Sequence, residues 1–140
     1  MNIGEMETVT TYGLRTKVLL LNNLGDGMVR QWQKTFFGNR FSSTDKALHL
    51  KDFIKAAEAD GYQFARRTSD KAKLVQDLKD FVNFDGAAFL EVMIDPDACV
   101  WPMVGPGMGY REMETGPYIK ARGGDAPVAP PTNEVKPDLF

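Results

Sequence analysis

The stretch Lys17-Val-Leu-Leu-Leu-Asn-Asn-Leu-Gly-Asp-Gly-Met-Val-Arg-Gln-Trp-Gln33 decides how this chain folds. Val18 to Leu21 are aliphatic without alternation, the composition of a strand covered on both faces of a parallel sheet. Asn22, Asn23, Gly25 and Gly27 then supply turn chemistry, and Met28, Val29, Trp32 and Phe36 recur at helical spacing. The unit predicted is strand, tight turn, helix. Such a turn lies at the carboxyl end of a strand against the first amides of a helix, where open α/β sheets bind ligands. A diphosphate suits the N–H groups and positive dipole end of the helix. An asparagine oxygen with a backbone carbonyl suits Mg²⁺, which takes about six oxygens at roughly 2.0–2.1 Å. Taken alone, the same pattern also describes an ordinary turn with a capping asparagine.

Working outward, Met1 to Tyr12 reads as a helix stopped by Gly13. Phe37 to Leu50 breaks the pattern: Gly38-Asn39-Arg40-Phe41-Ser42-Ser43-Thr44-Asp45 is a polar loop with aromatic anchors, either a connection or a cover for a site. His49, the only histidine, has no carboxylate or thiol near it in sequence and reads as solvated or loosely packed. Leu50 to Asp60 forms a second core helix, stopped by Gly61, and Tyr62 to Arg66 a short strand. Ser69 or Asp70 caps a further helix through Phe81, with Leu74, Leu78, Phe81 and Val82 on its apolar side. Asn83-Phe-Asp-Gly86 turns the chain into a third strand, Ala87 to Ile94. Glu91 interrupts that apolar run, and is expected at an exposed strand end or in a local pair rather than as an acid.

Strand and helix alternate, so the sheet should be parallel with right-handed crossovers. All eight prolines lie from Pro96 onward, where no period persists. Pro102 to Met113 is expected to pack as an irregular arm on Trp101, Met103, Met108 and Tyr110, and the sequence beyond about Gly123 to be disordered. The predicted division is residues 1–95, an α/β domain; 96–122, the arm; and 123–140, the tail. The fold class is α/β, a partial three-layer sandwich with a short parallel sheet of about three strands flanked by helices.

At 140 residues and 43% hydrophobic composition the chain supports one modest core. A net charge of −2 with no basic stripe speaks against nucleic acid. Cys99 is the only cysteine, so no intrachain disulfide forms, and a small partly buried residue is its expected role. No segment is apolar enough to span a membrane. Glu5 and Glu7 lie where a secretory signal would be apolar, which predicts a cytoplasmic protein, with a mature organellar one as the alternative.

The string Leu-Leu-Leu-Asn-Asn-x-x-x-Gly-Met-Val-x-Gln-Trp-Gln, with Phe36-Phe37 and Asn39-Arg40-Phe41-Ser42 after it, closely resembles the cofactor-binding domain of the acetolactate synthase (acetohydroxyacid synthase) large subunit, a thiamine-diphosphate enzyme. Asp52 to Gly61 resembles that family's "DFxKLAEAxG" helix, Ala88 to Pro96 its "xLLEVxVDP" strand, and Pro102 to Gly107 its "PMVxPG" segment. The likeness runs from the first residues to about Met113. It implies that the third strand lies between the first and second.

The resemblance also implies roles. Asn23 matches the side-chain metal ligand and Gly25 the residue giving a backbone carbonyl. Cofactor binding is expected on Asn23, Gly25, Gly27 and Met28, and substrate access at Trp32; read without the family, Met28 and Trp32 would be ordinary helix core. No catalytic residue is assigned. The implied cofactors are thiamine diphosphate and Mg²⁺, with FAD in the full enzyme on a domain that has no counterpart here. The implied activity of the intact enzyme is decarboxylation of pyruvate and ligation to a second 2-oxo acid, in branched-chain amino-acid biosynthesis.

The family's Gly-Asp-Gly-Ser turn, whose aspartate binds the metal, precedes the first helix and finds no match here. Gly25-Asp26-Gly27 follows the paired asparagines instead, so Asp26 reads as a solvated or capping residue. The polypeptide is therefore expected to start inside the domain, to be inactive by itself, and to self-associate or join the remainder of the enzyme. The other readings are a non-catalytic remnant or interaction module of the same fold, or part of another thiamine-diphosphate decarboxylase or carboligase.

Overall fold

The structure, a computed structural model, describes residues 2–44 and 50–116. His49, the expected tail at 123–140 and the end of the arm lie outside them. The described residues fall into two compact units, one within Met1–Gly25 and Lys46–Pro96, the other within Asp26–Asp45 and Asp97–Phe140.

The first unit runs α1 (Glu5–Thr11), β1 (Lys17–Asn22), then α3 (Phe53–Ala59), β2 (Phe64–Thr68), α4 (Lys71–Asn83) and β3 (Ala88–Met93); α2 (Gly27–Phe36) belongs to the second. The three strands form one parallel sheet in the order β1-β3-β2, as expected. Asp52, not Leu50, starts α3, because its carboxylate accepts the N–H groups of Ile54 and Lys55 at 3.2 and 3.4 Å. Asp70 caps α4 in the same way, accepting from Ala72 N at 2.9 Å. Gly61 and Gly86 adopt positive φ, at 88° and 149°, where the chain leaves these helices for β2 and β3.

Alternation along β3 splits the core in two. Phe89 joins Met6, Ala57 and Tyr62 on one face of the sheet, while Ala88 and Leu90 join Phe64 and Phe81 on the other. Helices on both faces make this the partial α/β sandwich foreseen.

β1 departs from the expected strand covered on both faces. Val18 and Leu20 pack into the first cluster, but Leu19 and Leu21 are 47% and 60% exposed. Among the described residues, α4 packs chiefly on β2 and β3 and leaves these two side chains of β1 largely open. The unbroken aliphatic run therefore has one covered and one open face.

β1 is fastened at both ends. Lys17 Nζ donates to the carbonyls of Phe84 and Gly86 at 2.5 and 2.7 Å, and Ile94 N–H donates to Asn22 O at 3.0 Å.

In the second unit, α2 buries Gln31, whose side chain exchanges two hydrogen bonds with the Val100 backbone, at 3.0 and 2.8 Å. Asp26 N–H donates to Thr44 O at 3.2 Å, and the Thr44 hydroxyl, itself buried, donates to Gln33 at 2.7 Å. The arm contains a 3-10 turn at Tyr110–Glu112 and a single antiparallel bridge between Met103 and Glu114. Met108 packs at Gly105 beside Phe36, and Trp101 lies against Gly116, so both anchor as expected. Tyr110 does not: it is 81% exposed, its 3-10 turn holding the ring in solvent.

Candidate functional site

The carboxyl end of the sheet is where the paired asparagines act. Asn22 Oδ1 accepts the Leu24 N–H at 2.8 Å, and Asn23 Oδ1 accepts the Gly25 N–H at 3.3 Å. Each amide bonds the backbone two residues on, which is how asparagine forms a turn from its own side chain. The two overlap around Leu24, which is held at φ 61°, a left-handed conformation that non-glycine residues seldom adopt.

Glu91 stands beside this turn. It is fully buried, so of the two expected placements, an exposed strand end or a local pair, the structure shows the pair. Register is the reason: Leu20 and Arg67 are its direct partners in β1 and β2, so it sits in the central strand under cover from both sides. Its two oxygens are both used. Asn22 Nδ2 donates to Oε1 at 2.6 Å, and Arg67 Nε donates to Oε2 at 2.7 Å. Arg67 Nη2 continues to Asp52 Oδ1 at 3.3 Å, the same oxygen that caps α3. The hydrogen bond to Glu91 raises the pKa of Arg67 above its ordinary value; partial burial opposes this, and the charges of Glu91 and Asp52 add to the rise.

An open cleft of about 700 Å³ lies over these groups, lined by Asn22, Asn23, Gly25, Asp52, Arg67 and Glu91 among others. Asn23 and Gly25 thus share one turn at its edge. Their oxygens, one amide and one backbone carbonyl, fit a hard divalent cation in kind, though both are neutral. The Asn23 oxygen has a second lone pair beyond its long bond to Gly25 N–H.

Gly27, Met28 and Trp32 lie on α2 in the second unit. Gly27 is its first residue, and Asp26 stands at the N-cap without a side-chain bond to the helix amides. Met28 is 64% and Trp32 38% exposed, so neither is the core residue that helical spacing alone suggests. Trp32 meets Phe36 edge to face, with centroids 5.2 Å apart.

Sequence reading missed Asn22, Asp52 and Arg67 as a set with Glu91. The available signal was Glu91 inside an apolar strand, since a carboxylate enters a sheet interior with a partner; Arg67 lay one residue beyond the strand predicted at Tyr62 to Arg66 and falls inside β2.

Residues 1–92 match the family described as thiamine pyrophosphate enzyme, C-terminal TPP binding domain. The chain is 39% identical over 112 residues to the mitochondrial acetolactate synthase catalytic subunit of Aspergillus candidus, covering 80% of this chain and 16% of that protein. It is 34% identical over 113 residues to the acetolactate synthase large subunit of Porphyra purpurea (81% and 19%) and 36% identical over 125 residues to the acetolactate synthase of Mycobacterium bovis (86% and 20%). The chain spans no more than about a fifth of the length of these relatives.

Proposed function

We infer, from the premise that this chain belongs to the family of thiamine pyrophosphate enzyme C-terminal TPP-binding domains, that it is the carboxy-terminal part of an acetolactate synthase. The observation that carries this reading is the turn Asn22–Gly25 at the carboxyl end of β1, with Asn23 and Gly25 at the rim of a cleft. Residues 1–95 form the cofactor-binding part, and 96–122 its arm.

Asn23 through its side-chain oxygen and Gly25 through its carbonyl would hold Mg²⁺; Gly27 and Met28 are the residues that the family resemblance assigns to thiamine diphosphate. When bound, the cofactor supplies an electron sink for decarboxylating a 2-oxo acid. Trp32 borders substrate access. The substrates of the assembled enzyme are pyruvate and a second 2-oxo acid, as part of branched-chain amino-acid synthesis. The chain acts in an assembly, with copies of itself or with the remainder of the enzyme.

Among the described residues, both cleft carboxylates, Glu91 and Asp52, are engaged by Arg67, so the described cleft offers the metal two neutral ligands. Binding of magnesium thiamine diphosphate should accordingly be weak, with a dissociation constant in roughly the millimolar range, or about −4 kcal/mol. Calorimetric titration of the full chain with thiamine diphosphate, with and without Mg²⁺, tests this. Asn23→Ala should remove most of the affinity and Asp26→Ala little. Loss with Asp26→Ala and retention with Asn23→Ala would place the site elsewhere.

A further inference from the structure

We propose that Glu91 is a positioning residue for the cofactor turn: its carboxylate dictates which way round the Asn22 amide sits, and thereby the shape in which Asn23 and Gly25 are held. The inference rests on the reading of that turn as the cofactor site.

Hydrogen-bond polarity fixes the orientation of the Asn22 amide. A primary amide has one accepting and one donating end, whereas an ionised carboxylate only accepts. Glu91 therefore takes the Nδ2 end of Asn22, at 2.6 Å, and the Oδ1 end is left facing the chain beyond. There it meets the Leu24 N–H at 2.8 Å. That bond supports Leu24 at φ 61°, a conformation that persists only where the surroundings impose it.

Arg67 makes the arrangement one-way. Its guanidinium has no acceptor, so the Glu91 oxygen 2.7 Å from Nε must accept. Glu91 consequently faces two donors, Asn22 Nδ2 and Arg67 Nε, and only a group with two accepting oxygens satisfies both. Asp52 holds the far side of Arg67 at 3.3 Å while capping α3, so the start of that helix and the end of β1 are fixed through one chain of polar contacts. Complete burial of Glu91 keeps water from substituting for any missing partner.

The consequence is a specific pattern of failure and rescue. In Glu91→Gln, the single oxygen goes to Arg67 and the NH₂ group faces Asn22. The Asn22 amide must then turn around and present its own NH₂ to the Leu24 N–H, donor against donor. In Asn22→Asp, two carboxylates face each other. In the double variant Asn22→Asp/Glu91→Gln every group is satisfied again: the introduced glutamine accepts from Arg67 and donates to the introduced aspartate, which also accepts from Leu24. The charge of the pair is unchanged.

The test is amide hydrogen exchange by NMR on the full chain, read at Leu24 and Gly25 with Phe89 in β3 as reference, together with titration by magnesium thiamine diphosphate. Glu91→Gln should speed exchange at Leu24 by up to about tenfold, as expected for loss of one net hydrogen bond, with little change at Phe89, and should weaken binding. The double variant should restore both. Unchanged exchange at Leu24 in Glu91→Gln, or failure of the double variant to restore it, overturns the proposal. If Glu91→Gln does not fold, the double variant decides: native exchange supports the proposal and an unfolded chain sinks it. If the unaltered chain does not bind magnesium thiamine diphosphate, the cofactor reading falls while the exchange data still judge the role of Glu91 in the turn.

Discussion

Arg67 Nε lies 2.7 Å from Glu91 Oε2 across the β2–β3 ladder, and the pair is lopsided: Glu91 is wholly buried while 44% of the Arg67 side chain remains exposed. Removing the arginine strands a carboxylate inside the sheet. Arg67→Met should destabilise the chain by about 2–3 kcal/mol, below the ~3–5 kcal/mol of a fully buried pair because the guanidinium is still partly hydrated. Arg67→Lys should lose less. Urea midpoints measure both; an Arg67→Met midpoint equal to that of the unaltered chain would contradict the account of Glu91 as a paired buried charge.

Tyr62 presents the opposite case. Its hydroxyl is buried without a hydrogen-bond partner among the described residues. Tyr62→Phe should therefore stabilise the first unit by about 1 kcal/mol, since an unsatisfied buried hydroxyl costs ~1–3 kcal/mol. Burial, then the negative charge of Asp60, pushes the hydroxyl above its ordinary pKa of 10.0. The folded chain thus holds this proton more tightly than the unfolded one. That contribution is complete below pH 10 and is lost as pH rises through the folded value. Thermal melts between neutral and strongly alkaline pH should show the advantage of Tyr62→Phe widening above pH 10; a constant gap would refute this.

What was legible in the sequence, and what was not, divides along range. The strand-turn-helix unit around Asn22 and Gly25 could be read because asparagine and glycine act on backbone within two residues. Gly61 and Gly86 marked real chain reversals for the same reason. Glu91 could not be placed, because its surroundings come from strand pairing with Arg67, 24 residues away, and with Leu20 in β1. The exposure of Leu19 and Leu21 was hidden likewise: an unbroken aliphatic run does not reveal where the covering helix stops. Asp52 was misread as lying inside a helix, although an aspartate ahead of Phe53 and Ile54 had the chemistry of a cap.

Leu19 and Leu21 present an apolar strip on an edge strand, a surface that favours pairing with another chain. Leu19→Thr/Leu21→Thr preserves strand propensity and removes apolar area. Light scattering over a concentration series should show self-association of the unaltered chain, weakened by about tenfold or more in the double variant, given ~1.5–3 kcal/mol per fully buried leucine. Equal scattering from the two would exclude this strip as the contact.

Assayed alone with pyruvate, Mg²⁺ and thiamine diphosphate, the 140-residue chain should form no acetolactate. Among the described residues, both cleft carboxylates, Glu91 and Asp52, are bound to Arg67, and a positioned acid or base contributes typically about 10²–10⁴-fold to such a reaction. Colorimetric detection of acetoin after acidification reads the product. Turnover that survives purification to homogeneity and is abolished by Asn23→Ala would show that the chain suffices.

The fastening of β1 at Lys17 and again at Asn22 sets a ruler on the chain. One clamp grips the carbonyls that lead into β3 and the other grips its exit, so the count of residues between them must equal the count along the neighbouring strand. Inserting or deleting a single residue from Val18 to Leu21 would free one clamp whichever way the strand slid, and would turn the covered side chains outward as well. Substitution here is a matter of size and polarity; length is not negotiable.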